Sequence, residues 1–284
     1  MSIVFKKQIL IYIVTLFAGI FLLSCSHDPA EEYDEGLDME TIPVQLRLGF
    51  RAQTQIVAHR GYWNTRGSAE NSLTALDRAV AAGFYGCEFD VRLTRDKVPI
   101  ILHDDRIQNL VVESTPWSSL QTIKLKNGET IPTLQQYLER AKDREIRLLL
   151  EVKVHKSPDD NVLLVNTVVE TVARLEMQQQ VEYSSFSLDI CKHLIQRVPA
   201  SSVTYLAGDK SPALIKELGL TGISYPYAAL LNNPTWIPEA KQLGLTTNVW
   251  TVNELQLMHD FILQDIDFII TDKPATLKLM LMYP

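Results

Sequence analysis

The chain has 284 residues, with 27 Lys and Arg against 34 Asp and Glu, a formal net charge of −7. Hydrophobic residues at 46% exclude a largely disordered protein, and the acidic balance argues against nucleic acid, whose phosphates demand clustered cations. Three cysteines are too few for a disulfide scaffold, and the length suits one α/β barrel or two smaller domains.

Residues 1–24 hold Lys6 and Lys7 and no acid, and from residue 8 onward they are almost unbroken apolar sequence up to Cys25. A positive start followed by an apolar stretch reads as an export signal. A transmembrane anchor is the alternative, since about 17–20 apolar residues span a bilayer. Leu22-Leu23-Ser24-Cys25 resembles the bacterial lipobox, which implies cleavage before Cys25 and acylation of its thiol. The chain would then be a lipoprotein of the bacterial cell envelope, anchored in the membrane and facing the periplasm or the cell surface. In either reading the remainder lies outside the cytoplasmic membrane. Residues 26–40 carry seven acids, no cation and no hydrophobic period. Residues 25–52 therefore read as an acidic, solvated tether, with the folded domain beginning near Gln53.

From residue 55 onward short β-branched runs alternate with amphipathic segments. Strands are expected at 56–59, 87–92, 147–154, 181–186, 203–207, 222–225, 247–251 and 268–271. Helical patterns fall at 72–82, 134–144, 162–177, 188–197, 212–218, 235–243 and 254–264. Such alternation means parallel strands joined by crossover helices, and eight units close a (β/α)8 TIM barrel. An open doubly wound sheet is the competitor, weakened by the count of eight and by the lack of a Gly-rich loop after the first strand. The run 98–103 follows the second strand too closely for a parallel crossover, so it must return as an extra β-hairpin. A tip near Asp96-Lys97 sets His103 opposite Asp90, at the end of the strand where barrel enzymes keep their chemistry. Residues 106–130 are irregular and polar, and read as a lid or wall.

Polar residues gather where the apolar strands end. Strand periodicity puts Glu88 and Asp90 on one face of the second strand, and Glu151 and Lys153 on one face of the third. Three carboxylates converging on a barrel mouth repel one another unless a cation lies between them, and oxygen-only ligands suit Mg²⁺ or Ca²⁺. Ordinary ion pairs with Arg60, Arg92 and Lys153 are the alternative. His59 and His103 suit acid–base work near neutral pH. Arg60 and Lys153 supply charge for a phosphate. His27, His155, His193 and His259 have no such partners in the sequence and read as structural or tether residues. Cys87 and Cys191 read as buried free thiols, with a disulfide possible but not required.

The ordered set AHRG (58–61), EN (70–71), CEFDVRLTRDKVPIILHD (87–104), LEVK (150–153), SSF (184–186), NVWTVN (248–253) and DFIITDKP (267–274) resembles the glycerophosphodiester phosphodiesterase family from residue 53 to residue 282. The resemblance implies a metal-dependent TIM barrel that releases glycerol 3-phosphate and an alcohol in phospholipid-derived glycerol metabolism. Glu88, Asp90 and Glu151 would be metal ligands and His59 and His103 the acid–base pair. Arg60 and Lys153 would contact phosphate, Glu70 would orient Arg60 or a ligand, and Trp250 and Phe186 would line the mouth. For Glu70 a helix-start acid is an equal alternative, and for Trp250 and Phe186 core packing is the alternative, the stronger reading for Phe186. The chain departs from the family pattern at Ala69 and Ser72, which flank the Glu-Asn pair. It departs again at Lys97 on the hairpin tip and at residues 106–109. These positions bear on the alcohol headgroup rather than on the metal and histidines. Two further readings are a related phosphodiesterase acting on lysophospholipid or phospholipid, and a non-catalytic lipoprotein that captures phosphodiesters. No protein partner follows from the sequence.

Overall fold

A computed structural model describes residues 33–34 and 39–282. The expected signal segment and Cys25 lie outside the described residues. In chain order the strands are β1 (Gln55–Ala58), β2 (Gly86–Leu93), β3 (Pro99–Ile101), β4 (Arg106–Ile107), β5 (Leu110–Val111), β6 (Arg147–Val152), β7 (Val181–Ser185), β8 (Val203–Tyr205), β9 (Gly222–Pro226), β10 (Thr246–Trp250) and β11 (Phe268–Thr271). The helices are α1 (Leu73–Ala81), α2 (Trp117–Leu120), α3 (Leu134–Ala141), α4 (Pro158–Arg174), α5 (Leu188–Arg197), α6 (Pro212–Glu217), α7 (Tyr227–Asn232), α8 (Trp236–Gln242), α9 (Leu255–Leu263) and α10 (Pro274–Met282).

Eight strands pair in parallel in the ring order β1-β2-β6-β7-β8-β9-β10-β11, and β11 pairs back onto β1. The barrel is therefore closed, as the strand count implies, and the open sheet is excluded. Residues alternate between two environments along each strand. Ile56, Phe89, Leu150, Tyr183 and Ile223 face outward into the large core beneath the helices. Val57, Leu149 and Ile270 face inward and form a small cluster inside the ring. Following the register once round the ring returns eight residues earlier on β1, so alternate strands share layers. Rising from the floor, one layer holds Val57, Leu149, Thr204 and Asn248. The next holds Glu88, Ser184, Ser224 and Ile270. Above them lie His59, Glu151, Leu206 and Trp250.

The surplus hairpin is present, with β3 antiparallel to β2 and outside the ring, but its register is one residue off the expected one. Val91 pairs with Ile101, Arg92 with Ile100 and Leu93 with Pro99. Leu102, not His103, lies against Asp90, and its N–H donates to the Asp90 carbonyl at 3.0 Å. The turn has three residues, Arg95-Asp96-Lys97, closed by Thr94 N–H on the Val98 carbonyl. Lys97 takes the left-handed conformation at φ 66° that such odd-length turns require. The excursion 106–130 is not structureless. Ile100, Leu102, Val112, Leu120, Ile123 and Ile131 give it a small core of its own.

The expected boundary near Gln53 falls too late. Ile42, Leu46 and Leu48 are buried and join the main core. Asp34 is 2% exposed. Its carboxylate accepts from the N–H groups of Ala275 and Thr276 at 2.7 and 3.1 Å, capping the start of α10. Asp34, Ile42, Leu46 and Leu48 of the 25–52 segment are thus packed, while Val44 and Phe50 stay exposed, because the apolar residues at 42, 46 and 48 find a surface that composition does not reveal. The α4 helix also begins a turn before the expected residue 162, led by Pro158 with Asp159 and Asp160 behind it.

Candidate active site

The site grows from the C-terminal ends of β1, β2 and β6. Arg60 and Gly61 end β1 in left-handed conformations, at φ 55° and 82°. A Cβ on Gly61 would stand 2.7 Å from the Ala75 Cβ, so only glycine lets α1 come this close. The turn aims the Arg60 N–H at Glu88 Oε2, 2.8 Å away. The Arg60 side chain reaches Glu70 Oε2 at 2.6 Å and lies 3.8 Å from Asp90 Oδ2. Ser72 caps α1 by accepting from Ala75 N–H at 3.0 Å, which fixes the preceding Glu70-Asn71 pair. Asn71 Nδ2 then donates to Asp90 Oδ2 at 2.8 Å.

Glu88, Asp90 and Glu151 are all buried and offer carboxylate oxygens within 4.8 Å of one another. Lys153 Nζ lies 2.7 Å from Asp90 and 2.8 Å from Glu151. Burial, followed by the Asp90 charge, pushes Glu88 up to about 8 and Glu151 up to about 7. Burial works against Asp90 as well, but the Lys153 ammonium, His103 and the Asn71 amide outweigh it and hold Asp90 down to about 2. Lys153, with Arg60 and Arg92 farther off, therefore leaves Glu88 and Glu151 short of compensation. A hard divalent cation among these oxygen-only donors would make up that deficit.

Both histidines reach this cluster, and each is held at Nδ1 by an aspartate. His59 Nδ1 is 2.8 Å from Asp272 Oδ1, and its Nε2 is 4.0 Å from Glu88 Oε2. His103 Nδ1 is 2.8 Å from Asp104 Oδ1. Burial alone lowers both imidazoles. At His59 the Asp272 bond and the Glu88 charge reverse this and raise it. At His103 burial prevails over Asp90, with Lys153 acting in the same direction, and the group stays below its ordinary value. Although out of register with Asp90, His103 has left the ladder and its ring still lines the pocket.

That pocket, about 650 Å³ with the solvent space of its mouth included, is open at the mouth. His59, Arg60, Glu88, His103 and Glu151 form one side of it, and residues of β7 to β10 form the other. Trp250 donates to the Ser224 carbonyl at 2.8 Å and meets Phe186 edge-on at 5.6 Å between ring centroids. Phe186 is 40% exposed, so it is a rim residue and not a core one. His155 is buried. Its Nε2 accepts from Leu93 N–H at 2.9 Å and its Nδ1–H donates to the Lys153 carbonyl, a structural role. Cys87 and Cys191 are buried free thiols that burial pushes up to about 12.

Asp272 is a site residue that sequence reading missed. It accepts from His59, from Trp63 Nε1 at 3.0 Å and from Asn253 Nδ2 at 2.7 Å. Its only signal was a place in the run DFIITDKP, two positions beyond inward-facing Ile270 at the end of β11. Ring closure brings that strand end beside β1, 213 residues away in sequence.

The sequence profile of the glycerophosphoryl diester phosphodiesterase family matches residues 59–276. A crystal structure of a glycerophosphodiester phosphodiesterase from Parabacteroides distasonis is 44% identical, with a TM-score of 0.81 over 82% of this chain and 98% of that one. The probable glycerophosphodiester phosphodiesterase 2 of Mycobacterium tuberculosis is 28% identical over 78% of this chain and 88% of its own. A glycerophosphodiester phosphodiesterase of Caldanaerobacter subterraneus is 25% identical over 79% and 96%.

Proposed function

The chain belongs to the glycerophosphoryl diester phosphodiesterase family, and from that premise we propose that it hydrolyses glycerophosphodiesters to glycerol 3-phosphate and an alcohol. The observation that carries this reading is the meeting of two aspartate-held histidines with a buried three-carboxylate cluster at one barrel mouth. Glu88, Asp90 and Glu151 would hold a divalent ion, Mg²⁺ or Ca²⁺. When bound, such an ion supplies Lewis-acid polarisation of a phosphoryl oxygen. Arg60 and Lys153 supply positive charge beside the same position and favour a phosphodiester over a neutral ester. Asp272 and Asp104 hold the Nδ1 protons of the histidines and leave both Nε2 atoms for the reaction. One then accepts the proton of the nucleophile, either a water or the substrate's own glycerol hydroxyl, whose cyclic phosphate a water then opens, and the other donates to the departing alkoxide. A mere phosphodiester binder would have no use for this oriented pair.

We further propose that residues 1–24 are a signal peptide and that Cys25 is acylated, which anchors the domain in a bacterial envelope membrane. The lipobox-like sequence supports this, and the mass of the mature N-terminal peptide tests it. The activity is tested by offering the purified protein glycerophosphocholine, glycerophosphoethanolamine, glycerophosphoinositol and a lysophospholipid, before and after EDTA. Glycerol 3-phosphate should appear from at least one glycerophosphodiester, vanish with EDTA and return with Mg²⁺ or Ca²⁺. Turnover of the lysophospholipid alone would favour the lipid-directed reading, and full activity in EDTA would remove the metal from the scheme.

A further inference from the structure

The barrel interior below the histidines is built unevenly. Barrel layers are ordinarily filled by bulky aliphatic side chains. Here the β1, β6 and β11 side conforms, with Val57, Leu149 and Ile270. The opposite side carries Ser184, Thr204, Ser224 and Asn248, all more than nine-tenths buried, and all four line the pocket. Ser224 lies in the Glu88 layer and directly across the ring from it, since β9 is the fourth strand from β2 in either direction. Asn248 and Thr204 lie one layer deeper. The small side chains leave a hollow that continues below the carboxylate cluster.

Asn248 lines this hollow, and its Oδ1 is buried with no hydrogen-bond partner among the described residues. A buried acceptor left unpaired is costly, and an apolar residue of similar size would avoid the cost. The atom therefore asks for a donor that is not part of the fold. The donor's charge class follows from its surroundings. Glu182, the carboxylate next below on β7, is occupied by Arg147 at 3.0 Å. The four shelf side chains are themselves neutral, and Glu88 across the ring belongs to the cluster assigned to the metal, so a cationic group would find no free counter-ion here. A hydroxyl donates to Asn248, accepts from the serines or the threonine, and carries no charge.

We propose that Ser184, Thr204, Ser224 and Asn248 form a subsite for a neutral hydroxyl group of the diester substrate, a reading that rests on the proposed phosphodiesterase activity. The hydroxyl comes either from the glycerol end or from a polyol leaving alcohol. Two pairs of diesters distinguish the sources. Glycerophosphoglycerol against glycerophospho-n-propanol removes hydroxyls from the leaving alcohol. Glycerophosphocholine against its analogue lacking the terminal glycerol hydroxyl removes one from the other end. Each is assayed with the native protein, Asn248→Leu and Ser224→Ala.

In one pair the native protein should prefer the hydroxylated member by about tenfold or more in kcat/KM, because its absence leaves the buried amide unpaired. Both variants should shrink that preference to about twofold and leave the ratio within the other pair as it was. A native preference below about twofold in both pairs overturns the subsite. So does an equal loss on all four diesters in both variants, which marks the shelf as structural. If Asn248→Leu does not fold, Ser224→Ala alone decides. If the native protein hydrolyses none of the four, the phosphodiesterase reading falls and this inference falls with it.

Discussion

His59 and His103 are the same side chain in opposed surroundings. Asp272, itself bonded to Trp63 and Asn253, grips His59 inside the barrel wall, whereas Asp104 grips His103 from a position 74% exposed. A carboxylate that fixes an imidazole tautomer acts through orientation, and its loss typically costs about 10–100-fold at comparable sites. Asp272→Asn should therefore lower kcat by about that factor with KM nearly unchanged, and Asp104→Asn should cost less. His59→Ala and His103→Ala should each lower kcat by about 100-fold or more, with circular dichroism and Tm retained. Steady-state kinetics on the preferred diester checks all four. Equal effects of the two aspartate changes would show that burial does not grade their hold.

At the level of elements, α1 and α3 are pinned together by one acid. Asp77 accepts from Arg140 Nε at 2.8 Å and from Arg144 Nη1 at 2.6 Å. Partial burial raises Asp77, but the two guanidinium groups outweigh it and hold the carboxyl below its ordinary value. An acid depressed in the folded state stabilises fully above its unfolded value, about 4, and that contribution is lost as pH falls through the lower folded value. Asp77→Asn should lower Tm at pH 7, and the gap to the native protein should close as pH is taken from 5 towards 3. A gap constant across that range would count against the ion pair. The hairpin shows a different lesson. Its existence was legible, because six residues cannot make a parallel crossover, but its register was not. Lys97 gives no hint that it adopts φ 66°, the conformation that makes the turn three residues long.

At the level of the whole molecule, the acidic leader is where composition misled. The stretch 26–40 has no apolar period, yet Asp34 caps α10 and Ile42, Leu46 and Leu48 enter the core. Burying one such aliphatic side chain contributes about 1.5–3 kcal/mol, an upper figure because unfolded chains already hide part of that surface. A chain beginning at Gln53 should therefore be less stable than one beginning at Ser26 by at least about 3 kcal/mol, read from urea midpoints at equal slope. Coincident midpoints would restore the boundary at 53.

Local pattern alone determined the barrel class, because period-two strands alternating with helical segments leave few ways to bury both faces. The same pattern placed His59, Glu88, Asp90, Glu151 and Lys153 at strand ends, where side-chain direction depends only on the residue's own strand. Whatever depends on ring closure lay beyond it. The grip of Asp272 on His59, the cap of Asp34 on α10 and the polar shelf from Ser184 to Asn248 each join residues from different strands or distant segments. Their neighbours are set by the shear of the closed sheet, a property that no single stretch of sequence carries.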